Sequence, residues 1–102
     1  MLSAQEITII EEEVNTLDHS TLENHKRILI ESGNQIAMRI GYLIDSKIKN
    51  TPDYRYEEKQ LHLTVEKLVF LDQRIEIKFG VFFRLKRRLG YMNQFRQFFI
   101  EI

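Results

Sequence analysis

The sequence predicts an all-α protein: an antiparallel helical bundle built on a long helix 2–helix 3 hairpin, with a short helix N-terminal to it and a short helix C-terminal to it. Three observations predict it. Helix-start signals recur along the chain, apolar residues return at steps of three and four, and four glycines and one proline in 102 residues are too few for the turns of a β-sandwich.

Helix 1 is expected over residues 4–17. Ser3 followed by Glu6 forms a capping box, in which each side chain satisfies an amide left open at a helix N-terminus. Behind it, Ile7, Ile10, Val14 and Leu17 keep helical spacing. Ser20 and Glu23 repeat the box and place the start of helix 2, expected over 21–49. Leu29, Ile30, Ile36, Ala37, Ile40, Leu43, Ile44 and Ile48 share one face of it, with Glu31, Gln35, Arg39, Asp45 and Lys49 opposite. Gly33, Ala37 and Gly41 lie four apart on the apolar side. A glycine inside a helix costs about 1 kcal/mol relative to alanine, so this stripe predicts a second helix approaching closely.

Thr51-Pro52 marks the start of helix 3, expected over 52–89, because proline at the first helical position loses no hydrogen bond. Leu61, Leu68, Ile75, Phe82 and Leu89 recur every seven residues, and Val65 and Phe79 fill alternate positions of the same seam. Asp72 and Lys86 interrupt that seam, which argues against an unbroken coiled coil. A second seam of Leu63, Phe70 and Ile77 lies nearly opposite the first. A helix apolar on two sides must be covered on both, so these three residues are the candidate surface for self-association, most simply as a homodimer. Alternation through Leu61, Leu63 and Val65, and through Ile75, Ile77 and Phe79, also fits a β-hairpin. No turn residue stands at Asp72-Gln73, however, and the Glu, Lys, Gln and Leu content of 57–72 favours helix. The C-terminal aromatic stripe Tyr91, Phe95, Phe98 is rotated from that of Phe82, Leu85 and Leu89. A break at Gly90 and a helix 4 over 91–101 follow from that rotation.

Composition narrows function by exclusion. The chain has no cysteine, hence no disulfide or thiolate metal site, and a cytoplasmic setting is the default expectation. The acidic start reads against a secretory leader, and no apolar run approaches the ~18 residues of a membrane span. The three histidines form no metal-binding spacing. No serine has a nearby histidine pattern to activate it, and no glycine-rich phosphate loop exists. The expectation is a protein without catalytic residues, metal or cofactor.

Net charge is zero but unevenly spread: residues 1–31 hold seven acids and two bases, residues 78–102 six bases and one acid. Two functional classes remain. The first is a helical protein–protein interaction module (an adaptor, chaperone or inhibitor) acting as a homo-oligomer. Its candidate partner surface is Met38 and Tyr42, one turn apart on the otherwise polar face of helix 2. The second is a nucleic-acid-associated regulator, in which Arg84, Lys86, Arg87 and Arg88 would meet a phosphate backbone.

Overall fold

A computed structural model of the chain describes residues 1–45, 52–80 and 88–100. Among them stand four α-helices and no strand: α1 (Ala4–Thr16), α2 (His19–Asp45), α3 (Pro52–Phe79) and α4 (Arg88–Ile100). The all-α expectation holds, and over the described part of 59–83 (residues 59–80) the β-hairpin alternative does not.

Each start has a chemical cause. The Ser3 capping box is formed, with Glu6 N–H donating to Ser3 Oγ at 3.1 Å and Ser3 N–H donating to Glu6 Oε1 at 3.0 Å. Ser3, through its backbone N–H first and its side chain second, holds the Glu6 carboxyl below its ordinary pKa. The second start is capped differently from expectation. Asp18, not Ser20, is the capping side chain, and its Oδ1 accepts from Thr21 N–H at 2.7 Å. Ser20 lies inside the helix and exposed. A carboxylate is the stronger acceptor at a helix N-terminus, where it also meets the positive end of the dipole. Thr51 lies outside the described residues; α3 begins at Pro52, as its fixed φ allows.

The largest correction concerns the end of α3. Helix 3 stops at Phe79 rather than 89, and the break falls at Gly80 rather than Gly90. Gly80 adopts φ 62°, and its N–H donates to Glu76 O at 2.9 Å, closing the last turn. Only a residue without Cβ takes that left-handed conformation cheaply. Gly90, by contrast, sits within α4. Leu89 consequently leaves the seam: it is 67% exposed on α4, while Leu61, Leu68 and Ile75 are buried as expected. Phe82, the remaining member, lies outside the described residues.

Cross-links between helices give the topology. Arg39 pairs with Glu57 and Lys26 with Asp72, so α2 and α3 run antiparallel, and their packing is the most extensive in the molecule. α4 lies chiefly on α2 and α1 chiefly on α3, on opposite faces of the hairpin. On the α4 face, Ile36, Ala37, Ile40, Leu61, Val65 and Leu68 enclose Tyr91, Met92 and Phe95. On the α1 face, Ile10 and Val14 meet Leu22, Leu71 and Ile75. Burying one such aliphatic side chain contributes about 1.5–3 kcal/mol. The small-residue stripe performs as its spacing suggests. Gly33, Ala37 and Gly41 are all buried, and the Phe95 ring lies against Gly33 so closely that a Cβ there would fall 2.7 and 2.8 Å from its Cε atoms.

Candidate functional site

α1 is 13 residues long and α2 is 27, so α1 can cover only half of the hairpin face it lies on. Its partners show which half. Glu6 pairs with Lys67 at 3.6 Å, Glu11 with Arg74 at 3.8 Å and Glu13 with His25 at 3.3 Å, while Lys78 Nζ donates to Val14 O. All of these lie toward the N-terminal end of α2 and the C-terminal end of α3. Numbers rise together along α1 and α3, so α1 runs parallel to α3 and its N-terminus points toward the other half.

That other half is open among the described residues. Met38, Arg39, Tyr42 and Leu43 of α2 face Asp53, Tyr56 and Glu57 of α3 across a groove of about 390 Å³. Met38 is 57% exposed, Tyr42 69% and Tyr56 62%. Arg39 Nε donates to Glu57 Oε1 at 3.0 Å, tying the two walls together. The arrangement is two amphipathic rings and a flexible thioether around one ion pair, the side-chain types enriched at protein contacts. Sequence reasoning placed Met38 and Tyr42 on the exposed face of α2 but missed Tyr56. The signal was present: Tyr56 is rotated about 140° from Leu61 on the α3 wheel, which puts a large ring on its polar side.

The other candidate residues are dispersed. Leu63 and Phe70 are half-buried, Phe70 packing toward the α1 cluster with the Arg74 guanidinium 5.0 Å from its ring centre. Ile77 is 73% exposed. The three therefore do not form one uniformly open stripe. Arg84, Lys86 and Arg87 lie outside the described residues. Arg88 opens α4 and is engaged by the Glu66 carboxylate of α3.

A second groove, of about 320 Å³, runs beside α1 between Ile9, Ile10, Ile28, Leu29 and Leu71, with Glu6, Glu13, His25 and Lys67 at its rim. α1 thus leans on α3 and leaves a gap toward α2, edged by the exposed Ile9 and Ile28.

One polar set lies deep on the α4 face. Asp72, 2% exposed, receives Lys26 Nζ on Oδ1 at 2.7 Å and the Tyr91 hydroxyl on Oδ2. Burial first, then the hydrogen bond to Asp72, push the Tyr91 phenol well above its ordinary pKa. The position that interrupts the heptad seam is therefore an anchor joining α2, α3 and α4. Its carboxylate oxygens are both engaged by protein groups. Among the described residues no cluster of three or more His, Cys, Asp or Glu side chains could hold a metal ion, and no helix is long and apolar enough to cross a membrane. No protein-family model, curated protein or solved structure matches the chain.

Proposed function

We propose that the protein is a small non-catalytic helical interaction module, of the adaptor, chaperone or inhibitor type, that acts as a homo-oligomer through the open half of its α2–α3 face. The observation that carries this reading is the exposure of Met38, Tyr42 and Tyr56 around one groove, on a face whose other half is covered by a helix. A helix pair with an uncovered apolar furrow is the receiving half of a helix-in-groove contact. The flanking Arg39–Glu57 pair and the two phenols supply polar contacts at the rim, where they orient a bound helix rather than drive its binding.

The test compares immobilised wild-type protein with a Met38→Glu/Tyr42→Glu variant in the same cell extract, with retained proteins identified by mass spectrometry. Both positions are exposed, so the variant keeps its helical circular dichroism. The reading expects a defined set of proteins, this chain included, retained by the wild type and lost by the variant. Identical retention by both overturns it.

A further inference from the structure

We propose that the bed beneath α1 is a second, exchangeable docking site, which takes an acidic amphipathic helix of another protein when α1 leaves it. The site is separate from the groove of Met38 and Tyr42, and α1 is its occupant in the closed chain.

The bed holds a helix, and its chemistry defines which kind. Ile10 and Val14, one turn apart on α1, are buried with Leu71 and Ile75, one turn apart on α3, and with Leu22 of α2. Around those apolar sockets stand Lys67, Arg74 and His25, which meet Glu6, Glu11 and Glu13. Lys78 Nζ donates to Val14 O, one of the carbonyls that a helix leaves open at its C-terminus. α1 itself carries four acids and no base. The surface therefore fits a helix with two aliphatic side chains four residues apart, a carboxylate four residues before the first of them, and others one and three after it.

α1 can leave without dismantling the rest. Thirteen residues make a marginal helix in isolation. Its C-terminal half holds Glu11, Glu12 and Glu13 and no cation, the sign that the helix dipole disfavours there. Its helicity thus depends on the bed. The link to α2 is only Leu17 and Asp18, and Asp18 caps α2 through Thr21 with no help from α1. Tyr91, Met92 and Phe95 belong to a buried cluster that includes no residue of α1. With α1 off, α2, α3 and α4 keep that cluster, while Leu22, Leu71 and Ile75 lie bare beside Lys67, Arg74 and Lys78. α1 is then an internal competitor. Tethered, it is present at an effective concentration on the order of millimolar, so only a helix of matching pattern displaces it.

The test uses the full chain and, as probe, a fluorescent synthetic peptide of residues 1–18. Native-state hydrogen exchange of the wild type should show α1 amides exchanging through an opening that leaves α4 amides protected. Ile10→Asp/Val14→Asp should free α1 within the chain, and the peptide should bind that variant roughly tenfold or more tightly than it binds wild type. A Glu6→Lys/Glu11→Lys peptide should lose this binding, and regain it on the same variant carrying Lys67→Glu and Arg74→Glu. Adding Met38→Glu/Tyr42→Glu should leave it unchanged. The proposal is overturned if α1 and α4 lose protection together, in the wild type or in the freed variant. It is overturned equally if the freed variant takes no peptide up to about 1 mM. Binding that ignores the charge reversals, or that Met38→Glu/Tyr42→Glu abolishes, overturns it as well. When full-length Glu6→Cys and Lys67→Cys proteins are mixed at micromolar concentration, a short bismaleimide should leave them unjoined. A mixed product would give the bed to α1 of a second copy and overturn the foreign occupant.

Discussion

The two faces of the α2–α3 hairpin are covered by helices of equal length, 13 residues each, yet they are held in different ways. α4 is sunk into its face. Phe95 enters the furrow left by Gly33, Tyr91 and Phe95 are fully buried, and the Lys26–Asp72–Tyr91 set fixes the helix from below. α1 rides higher, with only Ile10 and Val14 buried, a gap beside it toward α2, and a border of half-exposed ion pairs. Exposed pairs of this kind contribute about 0–1 kcal/mol each, whereas a buried aromatic side chain is worth several. Stability is therefore concentrated on the α4 face, and the surface available for contact on the α1 face.

The sharpest way to break the contrast is at Gly33. Phe95→Ala should cost about 3–5 kcal/mol in urea unfolding, as expected for deleting a buried ring. Gly33→Ala should also destabilise the wild type, because its Cβ meets the ring. In the Phe95→Ala background the same change should reverse sign and add up to about 1 kcal/mol, the ordinary helix preference for alanine. A Gly33→Ala effect that is the same in both backgrounds would show that α4 does not rest where described.

The anchor comes next. Asp72→Ala should cost about 3–5 kcal/mol, because it removes the buried carboxylate that Lys26 and the Tyr91 hydroxyl both bond, and Tyr91→Phe only about 1–1.5 kcal/mol. A Lys26→Met/Asp72→Leu/Tyr91→Phe triple variant should recover most of the Asp72→Ala loss in the same unfolding experiment, since no buried polar group is then left alone. The pH dependence has a definite sign. The Tyr91 pKa is raised in the fold from 10.0, so its contribution is complete below pH 10 and is lost as pH rises further. Absorbance titration should find Tyr91 ionising only as the protein unfolds.

The smallest effects belong to α1. Ser3→Ala should cost about 1 kcal/mol, seen as faster amide exchange in α1 with α4 unchanged. The Glu6 pKa is lowered from 4.5, so its capping contribution is present above that pH and fades as pH falls through the folded value. Exchange measured in α1 from neutral to acid pH should accelerate in that direction.

Much of this was legible in the sequence. Helix number, the apolar faces and the close approach at Gly33 followed from spacing alone, because sterics and periodicity act locally. Ends were less legible where two signals competed. Gly80 carried the usual signature of a helix end, a lysine in the last turn and a glycine after it, but the seven-residue repeat ran on through Phe82 and Leu89 and concealed it. Asp18 lost to the Ser20–Glu23 pattern for a similar reason. The Asp72 anchor could not be read at all, because its partners Lys26 and Tyr91 lie 46 and 19 residues away and only the fold brings them together. The open groove was half legible. Met38 and Tyr42 showed on the wheel of α2, while the extent of the bare face depends on where α1 comes to rest.

The most direct measurement is hydroxyl-radical footprinting of the wild-type protein at low and at high concentration, read residue by residue. The account predicts that Tyr91 and Phe95 stay unlabelled throughout. It predicts that Met38, Tyr42 and Tyr56 label strongly when dilute and fade together as concentration rises. Labelling of Tyr91 on a par with Tyr42 would contradict the closed face, and protection of Ile77 with Met38 and Tyr42 unchanged would contradict the open one.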